Sequence, residues 1–141
     1  MKKPTPIDLS QKTLALYRRT PPFDQLPDDE LQRLLESTTE IRVGQGQLVA
    51  EQSKTEIGRI LLIRKGAIEL YYERDGEKTL GGRLVKGEIY GGVSILMNAG
   101  VAVRTAVAEE ASIFHAVPSE LFLKLCERYP EFKAFFTNVF E

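Results

Sequence analysis

From Thr39 onward the hydrophobic period of this chain changes from helical to two, and the helical period does not return until Pro118. That switch constrains the fold more than any single motif, because alternating side chains belong to strands with one buried face. The stretch "EIRVGQGQLVAEQ" alternates around a turn from Gly44 to Gly46, and "GRILLIRKG" reads as a short buried strand. "AIELYYERDGEKTLGGRLV" is the strongest hairpin signal, since Asp75-Gly76 suits the tight turn that right-twisted strands prefer. Tyr71 and Tyr72 fall on opposite faces of its first strand, so one is expected inside and the other in water. "VAVRTAVAEE" and "ASIFHAV" complete a set of short strands with frequent turns, which predicts a β-sandwich or barrel.

Helices flank this region. Leu9, Leu14, Leu16 and Tyr17 suggest a weakly patterned first helix within a partly helical segment, residues 1–20. After Pro21 and Pro22, Asp28 is placed to cap a helix over 28–37 that carries Leu31, Leu34 and Leu35. Beyond a β region at 39–117, "SELFLKLCERY" predicts a helix over 119–128 and "EFKAFFTNVFE" a second over 131–140. Phe132, Phe135, Phe136, Val139 and Phe140 repeat at helical spacing, an amphipathic stripe that reads as an interaction surface for a partner. Residues 21–141 are thus expected to form one domain, mainly β with helices at both ends.

Composition narrows the chemistry. The 141 residues are 43% apolar and 28% charged, with a net charge of −1, so no bulk electrostatic attraction to nucleic acid exists. The final helix carries five large apolar residues and one lysine, a poor reader of a DNA groove. No apolar run is long enough for a membrane span, and "MKKPTPIDLSQK" lacks the apolar segment of a signal peptide. One cysteine, Cys126, allows no internal disulfide and fits a reducing, cytoplasmic compartment; on the apolar face of its helix it reads as core. The lone His115 supports neither a jelly-roll metal centre nor a catalytic triad, and a single cysteine cannot hold an iron–sulfur cluster. No enzyme constellation and no cofactor is expected.

With "PPFDQLPDDELQRLLE" before the strands, "LLIRKGAIELYY" and "KGEIYGG" within them, and "VPSELFLKLCERYPEFKAFF" after them, the chain resembles the cyclic-nucleotide-binding domain family. The resemblance covers roughly Pro21 to Phe140. It is nearest to the variant that begins larger bacterial proteins ahead of paired CBS domains and a nucleotidyltransferase-like region. It implies a β-roll and a non-catalytic sensing module, with a cyclic nucleotide or other small anionic ligand. The implied partner is an attached regulatory or effector domain, or a second copy in a homodimer.

Carried over by position, the resemblance makes Tyr90, Gly91, Gly92, Val93 and Ser94 the candidate phosphate cassette, with Arg104 and Thr105 beside it. Backbone N–H groups at a short helix start would face the anion, and a guanidinium would pair with it. Two positions depart from the family. Gly92 stands where a glutamate accepts the ribose 2′-OH, and Arg104, twelve residues beyond Gly92, is farther along than the family's arginine. Either a longer loop "MNAGVAV" still lets Arg104 reach inward, or it faces elsewhere. Loss of the carboxylate alone is expected to weaken a family-type site by roughly 10- to 100-fold, which argues against tight cAMP or cGMP binding. The alternative is a degenerate roll that serves as a dimerisation or docking scaffold without ligand. In that case Gly91-Gly92 is only a turn too tight for side chains.

Overall fold

The computed structural model describes residues 3–138. A two-residue strand, β1 (Thr5–Pro6), precedes α1 (Gln11–Arg18), a turn of 3-10 helix (Phe23–Gln25) and α2 (Asp28–Glu36). The roll follows as β2 (Thr39–Val43), β3 (Leu48–Ala50), β4 (Arg59–Lys65), β5 (Ala67–Arg74), β6 (Glu77–Val85) and β7 (Ile89–Tyr90). Then come the short α3 (Gly92–Met97), β8 (Thr105–Ala108) and β9 (Ser112–Pro118). The closing helices are α4 (Ser119–Arg128) and α5 (Pro130–Thr137); Val139 and Phe140 of the apolar stripe lie outside the described residues.

The strands form two antiparallel sheets, β1-β2-β9-β4-β7 and β3-β8-β5-β6, whose inner faces enclose the roll. β4 shows why its apolar run is continuous rather than alternating. Leu61 and Ile63 point into the roll with Ile41, Phe114 and Ala116, while Ile60 and Leu62 point out beneath the helices with Val117. A strand buried on both faces has no polar face to show. The outer layer packs Tyr17, Phe23, Phe122, Phe132 and Phe136 against that sheet, mostly edge to face. Leu14 and Tyr17 of the N-terminal segment share this core with residues beyond Pro21.

Two local expectations are corrected. Asp28 does not cap α2; it is the first helical residue after Pro27, and its carboxylate accepts a hydrogen bond from Arg18 Nε at 3.0 Å. The acidic first turn of α2 still suits the helix dipole. Neither Tyr71 nor Tyr72 is in the core, because the β5–β6 hairpin extends past the roll and carries a bulge that leaves Gly81 unpaired. The hairpin turn is as expected, with positive φ at both Asp75 and Gly76.

Candidate functional site

β7 leads into the site. Tyr90 is buried in the roll, and its hydroxyl donates to the Arg104 carbonyl at 3.1 Å. Burial pushes the Tyr90 phenol up to about 12, with the nearby Arg104 charge partly offsetting it, so it remains a donor. Gly91 turns the chain at φ +106°, and a Cβ there would stand 3.0 Å from Ile57 Cγ2 and 3.2 Å from the Arg59 carbonyl oxygen. Both constraints demand glycine. α3 then begins, and the N–H groups of Gly92, Val93 and Ser94 are the unpaired donors of its first turn.

What covers those donors is α5. A Cβ on Gly92 would collide with the Phe136 ring, whose Cε1 would lie 2.9 Å away. Gly92 is therefore a helix-packing position. A cavity of about 140 Å³ remains beneath α5, lined by α3, Leu70, Leu84, Arg104, Phe135 and Phe136, and mostly apolar.

Arg104 lines this cavity, which decides between the two orientations the sequence left open. Its guanidinium lies over the Tyr72 ring, Cζ to centroid 4.9 Å, and among the described residues it has no carboxylate partner. The Tyr72 ring packs on the bare backbone of Gly81, where a Cβ would collide with it, and Gly82 lies beside Arg104 with room for a Cβ at ordinary contact, 3.7 Å from Nη1. Ser94 is buried under the cassette, where its Oγ accepts the Val103 N–H at 3.2 Å. Thr105 is set apart from the other candidates. It does not line the cavity, and its Oγ1 accepts the Gln52 N–H at 3.0 Å, tying down the β3–β4 connection.

The phenylalanine stripe is also placed differently from expectation. Phe132 and Phe136 are 0% and 5% exposed and belong to this chain's own core; among the described residues of the stripe only Phe135, at 43%, shows a free face. Phe132 and Phe136 fold back because Phe23, Phe122 and Gly92 offer them an intramolecular seat. Sequence reasoning missed Tyr72, Gly81, Gly82, Leu70 and Leu84 as parts of the site. A glycine pair interrupting the second hairpin strand, the mark of a bulge, was the signal that could have found Gly81 and Gly82.

The Cyclic nucleotide-binding domain family model matches residues 40–129, and the chain belongs to that family. Solved structures agree in fold at low identity. The sensor domain of the transcriptional regulator DNR from Pseudomonas aeruginosa is 17% identical with a TM-score of 0.77, over 86% of this chain and 81% of that one. The regulatory domain of Toxoplasma gondii PKA with cAMP is 16% identical with a TM-score of 0.74, over 84% and 45%. The regulatory subunit of a cAMP-independent protein kinase A from Trypanosoma cruzi bound to guanosine is 21% identical with a TM-score of 0.67, over 92% and 50%. This chain thus spans about half the length of each kinase chain. No curated protein matches the sequence. Among the described residues no helix is long and apolar enough to cross a membrane, and no group of His, Cys, Asp and Glu is placed to hold a metal ion.

Proposed function

We propose that this chain is a non-catalytic regulatory module in which a small anionic ligand and helix α5 compete for the floor of one pocket. The observation that carries the reading is the Phe136 ring seated on Gly92. A ligand reaching the N–H groups of α3 and the Arg104 guanidinium must share that floor with Phe136. Ligand pockets commonly measure about 300–1,000 Å³, whereas the cavity under α5 holds about 140 Å³. Anything as large as a nucleotide therefore has to lift Phe135 and Phe136 away. Binding would then free α5 and uncover Phe132 and Phe136 for an attached effector domain or a second copy. One buried cysteine, its thiol pushed up to about 11 by burial, is consistent with work in the cytoplasm.

Titration with cAMP, cGMP and cyclic dinucleotides tests this, followed by thermal stability and by hydrogen exchange in α5. A binder at 100 times its Kd adds about 2.7 kcal/mol of stability. The expected result is a thermal shift with faster exchange in α5, both absent in Arg104→Ala. A ligand that binds and leaves α5 protected would overturn the competition. The same observation favours a second reading if nothing binds. An aromatic ring filling the place of the missing carboxylate would make the roll a docking scaffold whose pocket is closed by its own helix.

A further inference from the structure

We propose that the cleft between α1 and the outer face of the β2-β9-β4 sheet is a second ligand site, for a phosphate-bearing small molecule. The cleft holds about 370 Å³ and shares no lining residue with the cavity under α5. Four cations line it, Lys12 of α1, Arg19 just after that helix, and Arg64 and Lys65 from β4, in a chain whose net charge is −1. None of the four has a carboxylate partner among the described residues. Two carboxylates also line the cleft: Glu40, cross-strand from His115 and paired with Arg42 Nε at 3.0 Å, and Asp8, which accepts the Ser10 N–H at 3.2 Å. Adjacent Arg64 and Lys65 can both reach the cleft because β4 carries a bulge between Ile63 and Lys65 against β9, where plain alternation would send them to opposite faces.

His115 supplies the observation that points to a ligand. It lines the cleft, is 8% exposed, and its Nδ1 lies 2.7 Å from the Tyr17 hydroxyl. Burial holds the Tyr17 phenol above its ordinary range despite Arg64, so the hydroxyl stays protonated and shares a hydrogen bond with Nδ1. Burial first, then Arg64, favour the neutral imidazole against the opposing pull of Glu40, and Nε2 has no hydrogen-bond partner among the described residues. A free ring nitrogen in a cleft rimmed by two guanidinium and two ammonium groups matches a phosphate dianion, which needs several polar partners and more than one positive charge. The cleft's size falls within the ordinary range for small-molecule sites. Such a ligand would bridge α1 to β4.

His115 is the only histidine, so its imidazole NMR signals report the cleft without ambiguity. The intact chain is titrated with inorganic pyrophosphate, with sodium chloride at matched ionic strength as reference. Saturable movement of the His115 signals is expected with pyrophosphate and not with chloride. Arg64→Gln and Lys65→Gln should each weaken binding about tenfold, the worth of one charged hydrogen bond, while Arg104→Gln leaves it unchanged. Phosphatidylcholine vesicles with and without phosphatidic acid separate the sources of the group. Co-sedimentation only with phosphatidic acid assigns a lipid headgroup, and its absence beside a pyrophosphate response assigns a free phosphate compound. No saturable movement, movement unchanged in both cleft variants, or loss in Arg104→Gln alone would overturn the proposal.

Discussion

The two faces of the β4–β9 sheet are built from different side chains. Inside the roll, alanines at 50, 102, 106, 108 and 116 sit among Ile41, Ile63, Ile68 and Leu70, with Phe114 the one phenylalanine. Outside, Tyr17, Phe23, Phe122, Phe132 and Phe136 fill the space under the helices. Small inner residues let two sheets close tightly, and hydrogen-bonded ladders hold them. The outer layer is held by side-chain packing between helices, the rings together with Leu31, Leu34, Leu35 and Leu125, and such contacts can be exchanged for other apolar contacts without breaking a ladder. The roll is thus the frame, and the aromatic layer is the part that a ligand can move.

The same deletion in each layer is the strongest test of that contrast. Phe114→Ala and Phe132→Ala each remove a fully buried ring, and each should cost about 3–5 kcal/mol. Hydrogen exchange should nevertheless separate them. Phe114→Ala lowers protection throughout the roll, whereas Phe132→Ala exposes α5 and leaves the β4–β9 ladder protected. Matching exchange patterns would mean that the two layers unfold as one unit, and the comparison would fail.

Acid bears on the outer face next. Burial, with Arg64 adding to it, lowers His115 to about 4, against 6.5 for a free imidazole. Below 6.5 the unfolded chain takes up a proton that the folded chain refuses. Stability therefore falls as pH drops from 6.5 towards 4, by up to about 3 kcal/mol. Urea midpoints across that window should show the loss, and His115→Gln should remove this component of it.

Gly92→Ala is expected to cost about 1–3 kcal/mol through overpacking against Phe136. Most of that should vanish in the Phe136→Ala background, a coupling that a double-mutant cycle reads directly. Additive costs would show that the two do not share one space. Arg104→Ala sharpens the picture from the other side. Its contact with the half-exposed Tyr72 ring is worth about 0.5–1 kcal/mol, so thermal stability should barely change while any ligand-induced shift disappears.

Much of this was legible along the chain. The change of period at Thr39 and its return at Pro118 bound the roll, α4 runs over the expected residues 119–128, and Asp75-Gly76 turns the hairpin. Tyr90-Gly91 marked the entry to the pocket, since the backbone there admits only glycine. These features are local: periodicity, turn chemistry and capping act within a few residues, so the sequence by itself determined the order of elements and the class of fold. What Arg104 faces, and what sits on Gly92, depended on neighbours far away in the chain. Phe136 reaches Gly92 from a helix beyond the roll, and the bulges beside Arg64 and Gly81 shift which side chains share a face without leaving a trace in the local pattern. Only the tertiary structure decided those contacts, because packing selects among partners that no local rule distinguishes.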